Sequence, residues 1–85
     1  MEKNKITILI PTHNEIRTLK KICSDIKNLK FDLLIVDDNS NDETADWLKK
    51  NSFNFIKNKK NLGYEKSIIL GIKKILKKKI TKYII

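Results

Sequence analysis

Two acidic residues stand side by side at Asp37-Asp38, directly after the apolar run Leu33-Leu34-Ile35-Val36. Adjacent carboxylates at the end of a buried strand are costly to desolvate unless something pairs with them. Such a pair can accept hydrogen bonds from a ligand's N–H or hydroxyl groups, or hold a cation. It can equally serve the chain itself, because Asp, Asn and Ser are favoured in turns and at helix N-caps, and Asp37-Asp38-Asn39-Ser40 has that composition. A second polar cluster, Pro11-Thr12-His13-Asn14-Glu15, follows another apolar run, Ile6 to Ile10. There His13 can stack on a base or donate to a phosphate, and Glu15 can accept from a sugar or base. The alternative is a turn in which Thr12 or Asn14 caps a helix and Glu15 favours its positive end. A third cluster, Asn58 to Gly63, precedes a helical pattern, and Gly63 permits a positive φ or a close backbone approach.

Several chemistries are excluded. Read as a calcium loop from Asp37, the sequence needs Gly at position 42 and Glu at position 48, where Asp42 and Leu48 stand. With Gly63 and Gly71 as the only glycines there is no P-loop and no dinucleotide fingerprint. One histidine, His13, and one cysteine, Cys23, exclude a multi-histidine zinc site and an internal disulfide framework. No metal site is expected within the chain. The net charge of +9 rests on 19 basic residues, of which only Arg17 is arginine. Without an arginine cluster or interleaved aromatics, no nucleic-acid partner is expected.

The elements that must position these clusters follow from periodicity. Ile6 to Ile10 is a β-branched run closed by Pro11, suited to a buried parallel strand. Ile16, Leu19, Ile22, Cys23, Ile26 and Leu29 step by threes and fours, an amphipathic helix. Phe31 to Val36 is a second strand. Ser40-Asn41-Asp42-Glu43 fits a capping box, with Ser40 capping and Glu43 reaching back, ahead of a short helix to about Lys50 anchored by Trp47 and Leu48. Phe53 to Ile56 reads as a short third strand. Ile68, Ile69, Ile72, Ile75, Leu76 and Ile80 mark a further helix, in which Gly71 implies close packing on the sheet, and Lys82 to Ile85 begins a fourth strand. The order β-α-β-α-β-α-β predicts an α/β fold, a three-layer parallel sheet with helices on both faces. Ligands of such sheets bind beyond the carboxyl ends of the strands, the edge to which all three clusters belong.

Together the clusters resemble the N-terminal portion of the family-2 glycosyltransferases of the GT-A fold. Ile8 to Glu15 is similar to their opening "IPTYNE" segment, and Leu34 to Thr44 to "VVDDGSTDGT". Asn61-Leu62-Gly63-Tyr64, with Gly71 beyond it, resembles the "NLGYG…G" stretch of the polyprenyl-phosphate (dolichol-phosphate-like) branch. The resemblance covers residues 5–85 and implies a Rossmann-like, nucleotide-binding half of a GT-A fold over the whole of 1–85. It implies that Pro11, His13 and Asp38 contact the base and ribose of a UDP- or GDP-sugar, with Glu15 and Asp37 beside them and Asn61 and Gly63 nearby. His13 replaces the commoner Tyr, Asn39 a frequent Gly, and Glu65 and Lys66 the small residues that often follow the Gly-Tyr pair.

The family's Asp-x-Asp metal motif belongs at the end of the fourth strand, where this sequence stops, and the catalytic base lies farther on. Mg or Mn is therefore expected of a full-length member, and this chain alone, truncated before that motif, is expected to be inactive, since an inverting displacement needs charge neutralisation and a base. The missing C-terminal half is one expected partner. A different class of function is a non-enzymatic module that binds phosphate or anionic lipid through Lys73, Lys74, Lys77, Lys78, Lys79 and Lys82. A receiver-like signalling domain fits worst, because no phosphoacceptor follows the third strand at Lys57-Asn58. No stretch approaches the ~20 apolar residues that span a bilayer, and from the charged N-terminus no signal peptide is expected. A cytoplasmic location is expected, at the cytoplasmic face of the membrane if the lysines meet lipid.

Overall fold

Side-chain alternation in two neighbouring strands determines what this fold can display. The computed structural model describes residues 6–29, 31–78 and 83–85. Its elements are β1 (Ile6–Thr12), α1 (Ile16–Ile26), β2 (Asp32–Asp37), α2 (Thr44–Lys50), β3 (Phe55–Lys57), α3 (Tyr64–Lys78) and β4 (Tyr83–Ile84). The strands form one sheet in the order β3-β2-β1-β4, with every pairing parallel. The predicted α/β class and parallel sheet are both present. Stepping from β1 to β2 to β3 in one direction and then back past both to β4 places α1 and α2 on one face and α3 on the other, given right-handed crossovers.

The two faces are packed by alternate residues. Ile35 joins Leu19 and Cys23 of α1 and Leu48 of α2 in the main core, with Ile10, Leu33, Trp47 and Phe53 around them. The Trp47 and Phe53 rings lie 5.2 Å apart between centroids. On the other face, Gly71 of α3 sits against Leu9 and Val36. Because successive strand side chains point to opposite faces, Leu34 and Val36 belong to the α3 side, and Leu33 and Ile35 to the α1–α2 side.

Local boundaries depart from the sequence reading for identifiable reasons. Pro11 does not end β1, which runs on to Thr12 and pairs Pro11 with Val36. Leu9 N–H donates to the Ile85 carbonyl on the β4 side, and by alternation the missing N–H of Pro11 falls on that side too. The register of β4 reaches only Ile6 and Thr7, so no described ladder bond is lost at Pro11. The capping box is not formed: α2 starts at Thr44, its N-cap Glu43 makes no side-chain cap bond, and Ser40 is engaged elsewhere. Asp42 takes over, its Oδ1 accepting from the Thr44 amide and hydroxyl. The third strand is Phe55–Lys57, and α1 ends at Ile26 before Leu29. Ile80 and Lys82, assigned by periodicity to α3 and β4, lie outside the described residues.

Gly71 provides a test of the packing on the α3 face. A Cβ there would lie 2.5 Å from Leu9 Cδ1 and 3.1 Å from Val36 Cγ2. Alanine gains about 1 kcal/mol of helix propensity, while overpacking costs about 1–3 kcal/mol. Gly71→Ala is therefore expected to destabilise by about 1 kcal/mol and the branched Gly71→Val by about 3 kcal/mol, read from urea denaturation midpoints.

Candidate functional site

The two aspartates divide by the same alternation. Asp37 continues the Leu33–Ile35 series and Asp38 the Leu34–Val36 series, so the pair faces opposite sides of the sheet. Asp37 is fully buried. Its Oδ1 accepts from the Ser40 amide at 3.0 Å, and its Oδ2 lies 3.6 Å from Lys57 Nζ without a hydrogen bond. Lys57 also donates to the Ser40 carbonyl at 3.3 Å. Asp37 thus closes the turn after β2 and does not line the cleft; the structure does not bring it to the other candidate residues.

Asp38 turns to the α3 side. Its backbone extends the pairing of β2 with β1, the amide donating to the Thr12 carbonyl at 2.8 Å. Its carboxylate gathers the loop between β3 and α3: Oδ1 accepts from Leu62 N at 2.7 Å and Asn58 Nδ2 at 2.9 Å, and Oδ2 from Gly63 N at 2.8 Å. Burial pushes the Asp38 carboxyl up, but these three donors, aided by the charge His13 carries when protonated, outweigh it and hold the group below its ordinary value. Gly63 takes a φ of +92°, which a side chain would strain. The neighbouring Asn39 is also left-handed, at 57°, a geometry Asn tolerates.

His13 is fixed against this carboxylate's own backbone. Its Nδ1 lies 2.7 Å from the Asp38 carbonyl, which can only accept, so Nδ1 carries the proton. In the neutral ring Nε2 then accepts, and the amide nitrogens of Asn14 and Asn61 each approach it at 3.2 Å. Both amides are oriented independently: Asn14 Oδ1 accepts from Asn41 N at 2.6 Å, and Asn61 Oδ1 from Gly63 N at 3.1 Å. Ser40 Oγ accepts from Asn14 N at 2.8 Å, tying the first cluster to the second.

These residues enclose a cleft of about 320 Å³ at the carboxyl edge of the sheet. Pro11, His13, Glu15, Asp38, Asn61 and Gly63 all line it, six of the seven residues the sequence singled out. Thr12 of the first cluster and Tyr64 of the Asn61–Tyr64 stretch complete the wall with Ser67, which no motif marks. Asn58 belongs to the third cluster, but no periodicity or motif marks its side chain as buried within that lysine-rich loop. A larger cavity of about 450 Å³ lies at the opposite edge, bounded by Cys23, Phe31, Leu33 and Phe53; its thiol is pushed up by burial, away from the reactive thiolate. Among the described residues no three His, Cys, Asp or Glu side chains group as metal ligands, and Asp37 and Asp38 cannot chelate together across the sheet. The divalent ion that the sequence resemblance implies for full-length members finds no ligand set among them.

A family model described as "Glycosyl transferase family 2" matches residues 7–85, nearly the whole chain. The chain belongs to glycosyl transferase family 2. Uncharacterized protein MJ0544 of Methanocaldococcus jannaschii is 37% identical over 83 residues, covering 91% of this chain and 36% of that protein. The family-2 chain thus spans about a third of the length of this curated relative. No solved structure matches it.

The Asp38 carboxylate yields a stability prediction. Its folded-state pKa lies below the unfolded one, so the stability it contributes is present above the unfolded value and lost as pH falls through the folded one. Asp38→Asn is expected to cost about 2–3 kcal/mol at neutral pH, the worth of hydrogen bonds to a charged group. That difference should shrink as pH falls below about 4, measured by urea denaturation of both proteins across the range.

Proposed function

We propose that this chain is the donor-gripping part of an inverting glycosyltransferase, holding the base and ribose of a UDP- or GDP-sugar between His13 and Asp38. One observation carries the reading: His13 and Asp38, far apart in sequence, meet at 2.7 Å across one cleft whose carboxylate is kept ionised. Uracil and guanine both present a ring N–H where adenine and cytosine present an acceptor, and a carboxylate prefers the former. Pro11 and the His13 ring supply a flat apolar surface for the base, and Glu15, exposed on the rim, is placed to accept from ribose hydroxyls. Asn61 and Gly63 border the side where the diphosphate would leave the cleft. The polyprenyl-phosphate branch is favoured by Asn61-Leu62-Gly63-Tyr64, with a lipid-linked phosphate or a glycan as acceptor. A metal and a base contributed by chain outside these residues complete the chemistry; this chain alone binds without turning over.

Calorimetric titration tests this. UDP or GDP is expected to bind, with ADP and CDP weaker. His13→Ala, a change at an exposed ring, should weaken binding about tenfold, within the range of base–aromatic stacking. Asp38→Ala should abolish it. Equal affinity for all four nucleotides, or no effect of either substitution, would contradict the reading.

A second reading is favoured by the outer surface of α3. Ile69 and Leu76 are 51% and 57% exposed, and Lys66, Lys73 and Lys77 stand beside them on the helix. An apolar ridge flanked by lysines suits an anionic lipid surface. Among the described residues no helix is long and apolar enough to cross a membrane, so such contact would be peripheral. Sedimentation with phosphatidylserine vesicles should carry the protein down at low salt and release it as salt rises, and Lys73→Glu with Lys77→Glu should prevent it. Equal sedimentation with phosphatidylcholine vesicles would count against it.

A further inference from the structure

Asp38 is aimed by a residue almost wholly removed from solvent. Asn58 follows β3 and is 5% exposed; Ser67, in the first turns of α3, is fully buried. The Asn58 amide nitrogen has two protons and both are engaged, one on Asp38 Oδ1 at 2.9 Å and one on Ser67 Oγ at 3.0 Å. Its backbone N–H donates to the Asp37 carbonyl at 2.8 Å. Asn58 is thereby held at three points, on β2, on the acidic side chain and on α3. Ser67 is in turn fixed by its own amide, which donates to the Gly63 carbonyl at 3.1 Å.

We propose that Asn58, backed by Ser67, is the positioning residue that sets the direction and charge of the Asp38 carboxylate in the cleft. Each carboxylate oxygen accepts about two hydrogen bonds. Oδ1 is filled by Leu62 N and Asn58 Nδ2, whereas Oδ2 accepts only from Gly63 N. Asn58 therefore leaves a single acceptor position, on Oδ2, for a ligand N–H. Removing its amide frees a second site on Oδ1 and lets the carboxylate rotate about χ2, blurring the choice of base. The inference rests on the nucleotide reading for its ligand, but its effect on Asp38 is separable from it.

The test uses Asn58→Leu, of similar shape without donors, and Ser67→Ala, each checked for a cooperative thermal transition. Two quantities are measured: the titration of the Asp38 carboxyl carbon by NMR, and UDP and GDP affinity as a function of pH. Asn58→Leu should move the Asp38 midpoint upward, since one donor to the anion is gone, and carry the acid limb of nucleotide binding up with it. At neutral pH, where Asp38 stays ionised, affinity should fall about tenfold, the loss of one charge-assisted hydrogen bond in the binding geometry. Ser67→Ala should shift both in the same direction by less, and serves as the deciding variant if Asn58→Leu fails to fold. An Asp38 midpoint unchanged in the folded variant would overturn the proposal. If the wild-type chain binds neither nucleotide, the donor reading fails, and the Asp38 titration still decides the role of Asn58.

Discussion

A single carboxylate organises one edge of this protein. Asp38 is buried at the end of a parallel strand, where an ionised group is unfavourable unless its oxygens are satisfied. Two backbone amides and one side-chain amide satisfy them, and all three come from the segment between β3 and α3. The desolvation cost that would expel the charge instead recruits a loop. Once that loop is drawn in, Asn61 and Gly63 take their places opposite His13, and the start of α3 forms the far wall of the cleft. The strands supply the platform, and this anion sets what stands on it.

The arrangement also explains why two adjacent aspartates do different work. A strand turns successive side chains to opposite faces, so Asp37 meets Ser40 and Lys57 beneath the α1–α2 layer while Asp38 meets the α3 loop. Asp37 braces the turn that lets the chain leave β2 in the direction α2 requires. Asp38 presents its remaining acceptor to the cleft. The family assignment sits on this edge, because the segments matching its sequence pattern contribute the strand ends and loops that meet there.

Much of this was legible in the sequence, and the failures share a cause. Strand identities followed from continuous apolar runs and helix identities from steps of three to four, because a strand buried on both faces and a helix buried on one create those patterns. The convergence of Pro11, His13, Glu15, Asp38, Asn61 and Gly63 followed from the rule that a parallel sheet gathers its loops at the carboxyl edge. The misplacement of Asp37 was avoidable: counting alternate residues from Leu33 and Ile35 puts it on the α1–α2 face. The capping box at Ser40 to Glu43 was misread because a local pattern cannot show that Ser40 already accepts from Asn14, distant in the chain. Asn58 stands in the third cluster, but its burial against Ser67 left no trace, since a buried polar pair is defined by tertiary partners, and one Asn among lysines looks like any surface loop.

Where a nucleotide touches this fold decides whether His13 and Asp38 grip it. Backbone amide NMR spectra recorded while UDP or GDP is added give that location directly. Binding in the cleft would give saturable shifts confined to its neighbours, at His13, Asp38, Leu62, Gly63 and Tyr64, with Lys57 and the Cys23 side of the sheet unchanged. Shifts centred on the opposite edge, or spread without saturation over the lysines of α3, would contradict it.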